Sequence, residues 1–135
     1  MRVLAIDTAL AACSAAVLDT AYNGVVASES VPMVRGHAEA LMPLLARLMQ
    51  EAGFGFTDLD RIVVTTGPGS FTGIRVGIAA ARGIAFAGGL PLIGISSFEA
   101  VAEASTSRTA PRSAPARLAK MSPSAFAIMT FAMMI

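Results

Sequence analysis

Hydrophobic residues in the first hundred positions occur first in short continuous runs and then at helical spacing, which predicts the order of the secondary-structure elements. Runs at residues 3–6, 13–18 and 25–31 predict three strands. Asn23-Gly24 predicts a two-residue type I′ turn between the second and third, because both central positions of that turn need positive φ. The chain is therefore expected to open as a three-stranded antiparallel meander.

Helical periodicity begins after the third strand. Residues 38–52 predict an amphipathic helix, in which Pro43 should kink the first turns or delay the start. The remaining pattern predicts a strand at 61–66, a glycine-rich loop at 67–73, a helix at 74–87, a strand at 91–95 and a helix at 97–104. The order β-β-β-α-β-α-β-α is typical of an α/β fold with a mixed five-stranded sheet.

The composition changes sharply near residue 106, which predicts two regions. Residues 1–105 carry six arginines and nine acids, a net charge of −3, whereas residues 106–135 carry four cations and no acid. The first region is expected to be one domain without an electrostatic footprint for nucleic acid. The second is low in complexity, which predicts a disordered tail or sequence translated out of frame.

Cysteine content and hydropathy suggest a cellular location. Cys13 is the single cysteine, so an internal disulfide is excluded. The apolar stretch at residues 124–135 falls well below the roughly 20 residues that a membrane span needs. We therefore expect a cytoplasmic protein without a membrane-spanning helix.

The loop at residues 67–73 is the first candidate for chemistry. Its glycines, Gly67, Gly69 and Gly73, permit a tight connection from strand to helix, and free N–H groups at the helix start could hold an anion near Ser70 and Thr72. A P-loop is excluded, because no Gly-Lys-Ser/Thr follows at the required spacing. Both an anion contact and a purely structural turn remain open.

Asp7 and Thr8 follow the first strand directly and form a second candidate. An acid at this position resembles the first phosphate-binding hairpin of actin-like ATPases, although the glycine usual after the acid is missing. The alternative is that Asp7 only terminates the strand.

Small residues recur through the second helix, at Gly73, Gly77 and Ala81 among others. Two glycines inside a helix cost about 1 kcal/mol each relative to alanine, so close approach of another segment should offset them. That segment could be the protein's own sheet or the helix of a partner.

His37 is the only histidine in the chain. A zinc or iron site built from two histidines of one chain is therefore excluded, and no metal is expected. His37 is expected to lie at the start of the first helix.

Five sequence blocks together resemble the TsaB (YeaZ) family in order and spacing: residues 4–8, 35–39, 41–44, 67–77 and 91–100. The resemblance covers about residues 1–104, and family members continue for about as long again to build a second lobe. It implies an actin-like (Hsp70/sugar-kinase superfamily) lobe. It also implies a non-catalytic subunit of the complex that places threonylcarbamoyl on adenosine beside the anticodon of tRNA.

The partners implied by the resemblance are a TsaD-type catalytic subunit, a TsaE-type ATPase, a second copy of the chain and, indirectly, tRNA. No cofactor is expected on this chain alone, although ATP or ADP is allowed in the complex. The catalytic paralogue carries a metal-binding histidine pair on the helix of His37, and Leu41 stands in place of the second ligand. This departure favours a scaffold.

We expect the helices at 38–52 and 73–88 to pair with equivalent helices as a four-helix arrangement. The predicted contact face consists of Leu41, Leu45, Leu48, Gly73, Gly77 and Ala81. The alternative function is a small actin-like ATPase or kinase domain that binds ATP at Asp7 and the loop 67–73. Such an enzyme needs a second lobe with catalytic acids, which residues 106–135 do not supply.

Overall fold

The computed structural model describes residues 1–22 and 24–106, with side chains as far as residue 102. Five strands form one sheet in the order β3-β2-β1-β4-β5. Neighbours β1, β2 and β3 are antiparallel, whereas β4 and β5 run parallel to β1. The strands are β1 (Arg2–Asp7), β2 (Ala12–Asp19), β3 (Gly24–Pro32), β4 (Arg61–Thr65) and β5 (Leu92–Ile95). The predicted mixed sheet and element order are confirmed.

Three helices complete the described fold: α1 (His37–Ala52), α2 (Phe71–Gly88) and α3 (Ser97–Thr106). Helices α1 and α2 pack together on one face of the sheet, where the alternating apolar residues of β1, β2 and β4 meet them. The core of this layer includes Leu4, Ile6, Ile62, Val64, Leu41, Leu44, Leu45 and Leu48. Helix α1 thus buries its whole apolar stripe inside the chain.

The connection between β2 and β3 differs from the prediction. Asp19 pairs with Gly24, so four residues connect the strands, and Thr20–Tyr22 form a 3-10 turn. The Asp19 carboxylate accepts a hydrogen bond from the Ala21 N–H at 2.9 Å and forms an ion pair with Arg2. A side-chain-stabilised turn therefore replaces the two-residue type I′ turn, and that prediction was wrong.

One helix start agrees with the predictions and one differs. Helix α1 begins at His37, as expected, and Pro43 lies inside the helix without delaying its start. Helix α2 begins at Phe71, three residues earlier than expected, because the Ser70 hydroxyl accepts a hydrogen bond from the Gly73 N–H at 3.2 Å. Gly73 consequently lies in the first turn of α2 and not in the loop.

Helix α3 ends at Thr106, two residues beyond its predicted end. Residues 107–135 lie outside the described residues, and the predictions of a disordered or out-of-frame tail remain predictions. In the part of the chain that is described, no helix has both the length and the apolar character needed to cross a membrane.

Candidate functional site

The residues directly after β1 form hydrogen bonds with the start of α2. The Thr8 hydroxyl donates a hydrogen bond to the Gly73 carbonyl at 2.6 Å, and the Ser70 N–H donates to the Ala9 carbonyl at 2.8 Å. On the neighbouring strand, the Thr65 hydroxyl donates to Asp7 Oδ1 at 2.8 Å. The first two bonds hold the start of α2 against the end of β1, and the third joins β4 to β1.

The glycines of this junction permit the close contact. A Cβ at Gly77 would overlap the Thr8 hydroxyl, and a Cβ at Gly73 would overlap the Thr8 carbonyl oxygen. Gly69 is confined in the same way by the Ala9 carbonyl. The segment that approaches these glycines is therefore Thr8 and Ala9 of the same chain, directly after β1.

The six residues of the predicted contact face consequently lie inward. Leu41, Leu45 and Leu48 are 0% exposed, Ala81 is buried in the same core, and Gly73 and Gly77 pack on Thr8. Helical periodicity identified the apolar side of each helix correctly, but the protein's own sheet covers that side. These six residues do not form an exposed contact face in this structure.

The residues proposed to contact an anion or a nucleotide divide into two groups. Asp7 is 3% exposed and Thr8 is 0% exposed, and both have hydrogen-bond partners within the chain. Gly67 is also buried, whereas Gly69, Ser70 and Thr72 are exposed at the start of α2. Gly73 is buried as well, so four of the seven candidates are buried and three are exposed.

The opposite side of α2 forms an exposed apolar surface that the sequence analysis did not single out. We call Ala79, Gly83, Phe86 and Ala87 the outer face of α2. Phe86 is 92% exposed, and the space beside Gly83 is open. Gly83 and Ala87 of this face border a groove of about 400 Å³, which is lined by Met42, Phe56, Thr57, Ala80, Gly83, Ile84, Ala87 and Gly88. In the sequence, the small residues four positions apart at 79, 83 and 87 were the signal that could have identified this surface.

The single histidine and the single cysteine of the chain are both buried. His37 begins α1, and Leu41, one turn later on the same face, belongs to the core. Within residues 1–22 and 24–106, no three His, Cys, Asp or Glu residues cluster as metal ligands would. Burial, with the charges of Glu29 and Asp7, raises the pKa of the Cys13 thiol to about 11, which keeps it protonated at neutral pH.

Comparison with known proteins relates this architecture to a family. The family model described as "TsaD: tRNA N6-adenosine threonylcarbamoyltransferase" matches residues 11–123. A tRNA threonylcarbamoyladenosine biosynthesis protein TsaB from Escherichia coli (strain K12) is 38% identical over 103 residues, which are 76% of this chain and 43% of the relative.

Solved structures agree with this relationship. The YeaZ structure from Pseudomonas aeruginosa is 34% identical with a TM-score of 0.74, covering 79% of this chain and 49% of that one. A ROK hexokinase from Thermus thermophilus, 23% identical with a TM-score of 0.50, shares the fold over 77% of this chain and 38% of its own length. The expected actin-like, sugar-kinase type of lobe is thereby confirmed.

The chain spans less than half the length of both TsaB-type proteins. The resemblance to TsaB (YeaZ) inferred from the sequence blocks is confirmed over this N-terminal part. The chain belongs to the TsaD (tRNA N6-adenosine threonylcarbamoyltransferase) family, and its described lobe is of the TsaB (YeaZ) type.

Proposed function

We propose that this chain is a non-catalytic subunit in tRNA threonylcarbamoyladenosine synthesis, and that the outer face of α2 docks on a TsaD-type catalytic subunit. The proposal is carried by the apolar groove, which Gly83 and Ala87 of this face line, together with the almost fully exposed Phe86 next to Ala87 in the chain. The names of its TsaB-type relatives supply the pathway.

The shape of the groove suits a helix of a partner. Gly83 and Ala87 present almost no side chain, so another helix can approach the α2 backbone closely. Met42 of α1, 48% exposed, borders the same groove and supplies an adaptable apolar contact. A contiguous apolar surface of this kind is typical of an interaction site.

The surroundings of Asp7 and Thr8, at the end of β1, favour a scaffold role over an ATPase. An ATP-binding actin-like lobe needs an acid that can approach magnesium and a hairpin backbone that can approach phosphate. Here Asp7 Oδ1 accepts hydrogen bonds from the Thr65 hydroxyl and the Ala9 N–H, and Thr8 packs against Gly73 and Gly77 of α2. ATP turnover by this chain alone should therefore equal the background, and hydrolysis that disappears in Asp7→Ala would support the ATPase alternative instead.

Further parts of the proposal concern the whole assembly. A second copy of the chain can compete for the same apolar groove, and a TsaE-type ATPase, with ATP or ADP, acts in the complex. The net charge of −3 over residues 1–105 favours indirect contact with tRNA through the catalytic subunit. A subunit with this task would work in the cytoplasm, where tRNA is modified.

Two exposed aromatic residues provide a matched test of the docking surface. Phe86→Ser removes an exposed ring of the outer face of α2, whereas Tyr22→Ser removes an exposed ring that lies outside this face. Calorimetric titration with the TsaD-type subunit should show binding weakened at least about tenfold by Phe86→Ser, because central aromatic residues dominate interface energies. Tyr22→Ser should bind like the unmodified chain. The reverse order, or equal affinities for all three proteins, would contradict the proposal.

A further inference from the structure

The exposed side of α2 continues beyond the groove towards the N-terminal end of the helix. A second depression of about 330 Å³ lies there, lined by Phe71, Thr72, Arg75, Val76 and Ala79. Because Ala79 is a residue of the outer face of α2, this depression adjoins that face. The exposed surface of the helix therefore includes charged as well as apolar side chains.

Two arginines lie on this exposed side. At 3.6 residues per turn, Arg75, Ala79, Arg82 and Phe86 project within about 60° of one another around the helix axis, and we call these four residues the basic stripe. Both arginines are exposed. The guanidinium of Arg75 lies 5.1 Å from the centre of the Phe71 ring. The stripe therefore combines positive charge with exposed apolar surface.

The positive charge of the basic stripe is not balanced inside the chain. Helix α2 contains two arginines and no acidic residue, although residues 1–105 as a whole carry a net charge of −3. In the part of the chain that the structure describes, neither Arg75 nor Arg82 forms an ion pair, whereas Arg2 and Arg47 each do. Both guanidinium groups of the stripe are thus free to pair with another molecule.

Docking on this side of α2 would remove both guanidinium groups from water. A desolvated charge without a partner weakens binding, whereas the planar guanidinium pairs well with a carboxylate at an interface. A purely apolar partner surface would leave both charges unpaired, and a basic one would repel them. The chemistry of the stripe therefore fits a partner surface with carboxylates opposite Arg75 and Arg82.

A second copy of the chain fits the basic stripe poorly. In a dimer with two-fold symmetry, both copies present the same residues to each other. If two α2 helices pack antiparallel through Ala79 and Gly83, the two-fold axis falls between these positions, and Arg82 comes close to its own copy. Like charges at such close range disfavour this dimer.

We propose that the partner surface that docks on α2 presents carboxylates to Arg75 and Arg82, and that these arginines favour this partner over a second copy of the chain. The inference rests on the proposed docking of a TsaD-type subunit on the outer face of α2. It adds the charge of the partner surface and the physical basis of the choice between partners.

Neutral substitutions test both parts of the inference. Arg75→Gln and Arg82→Gln each remove one cation from the stripe. Arg47→Gln is the control, because Arg47 is an exposed cation that pairs with Glu29 of β3 and lines neither depression. All three positions are exposed on helices, where glutamine is a good helix former, so the fold should be retained.

Binding and self-association should change in opposite directions. In calorimetric titration with the TsaD-type subunit, Arg75→Gln and Arg82→Gln should each bind about tenfold more weakly, since a charge-assisted contact is lost. Arg47→Gln should bind like the unmodified chain. In analytical ultracentrifugation, self-association of Arg82→Gln should be several-fold stronger than that of the unmodified chain, because the repulsion between copies is removed.

The outcomes distinguish this inference from the docking proposal. If Phe86→Ser weakens binding while Arg75→Gln and Arg82→Gln bind like Arg47→Gln, docking stands and the inference is overturned. The inference is also overturned if Arg82→Gln self-associates no more strongly than the unmodified chain. If Phe86→Ser leaves binding unchanged, the docking proposal fails and the inference fails with it.

Discussion

Helix α2 carries small residues on two faces, and the two faces have different roles. The inner face, Gly73, Gly77, Ala81 and Ala85, is buried against β1 and β4. The outer face, Ala79, Gly83, Phe86 and Ala87, is exposed beside a groove that reaches Met42 of α1. Gly77 has no room for a Cβ atom, whereas nothing lies within 4 Å of one at Gly83.

This difference shows what a stripe of small residues does and does not indicate. On both faces the small residues repeat every four positions, so they lie on one side of the helix and allow close packing. On the inner face the approaching segment is the chain's own strand end, which forms the Thr8–Gly73 hydrogen bond. On the outer face no described segment covers the stripe, and we propose that a partner does. The spacing alone cannot distinguish these cases.

The largest effect is expected from a bulky residue placed on each face in turn. Gly77→Leu should destabilise the chain by about 3 kcal/mol or more, because the side chain would collide with Thr8 and neither backbone can relax easily. Gly83→Leu, the matched control, should change the unfolding free energy little. Urea denaturation of both variants measures this. Equal destabilisation by the two substitutions would remove the distinction between the faces.

Thr8→Val should have a smaller effect, localised to the junction of β1 and α2. It keeps the shape of the side chain but leaves the Gly73 carbonyl without its donor, which should cost about 1–2 kcal/mol. Thr8→Ser retains the hydroxyl and should restore most of this loss. If Thr8→Val and Thr8→Ser unfold at the same urea concentration, the hydrogen bond does not stabilise the inner face.

Cys13 tests the same buried layer through pH. The pKa of its thiol is raised to about 11 in the folded chain from 9.0, so the folded state favours the neutral form. The contribution of the neutral thiol to stability is complete below pH 9 and is lost as pH rises from 9 towards 11. By pH 10 the loss is about 1 kcal/mol. Cys13→Ala should lack this component of the pH dependence. A difference between the two proteins that stays constant from pH 7 to pH 10 would show that the thiol is not shielded.

The smallest effect is expected from Gly83→Ala. Alanine is a better helix former than glycine, and the open space at Gly83 accommodates its methyl group, so stability should rise by about 0.5–1 kcal/mol. Gly77→Ala should lower stability instead. A loss of stability in Gly83→Ala would mean that the outer face is more tightly packed than the structure indicates.

Some parts of the fold could be predicted from the sequence because one physical effect determined them. The β-branched run of β4 and the leucine stripe of α1 each have a single way to bury their apolar residues. Other parts depended on contacts between distant residues. Asp19 stabilised a longer turn in competition with Asn23-Gly24, and Ser70, inside a glycine-rich loop, was not recognised as a helix cap.

The candidate site was less predictable than the fold for the same reason. Hydrophobic spacing located the apolar sides of α1 and α2, but only the three-dimensional arrangement shows that Leu41, Leu45, Leu48 and Gly77 are used internally. The small residues at 79, 83 and 87 were the local signal for the outer face, whereas the groove depends on how α2 packs beside Met42 of α1. No pattern within one helix specifies that packing.

The central claim is that a TsaD-type subunit covers the outer face of α2. Alkylation of a cysteine placed there tests it directly, because the native Cys13 is buried and protonated at neutral pH and should stay unreactive. Addition of the TsaD-type subunit to Gly83→Cys should slow alkylation at least about tenfold, since a buried thiol is closed to the reagent. Tyr22→Cys, outside the groove, should react at an unchanged rate. If the partner binds while Gly83→Cys reacts as fast as it does alone, the outer face is not the docking surface.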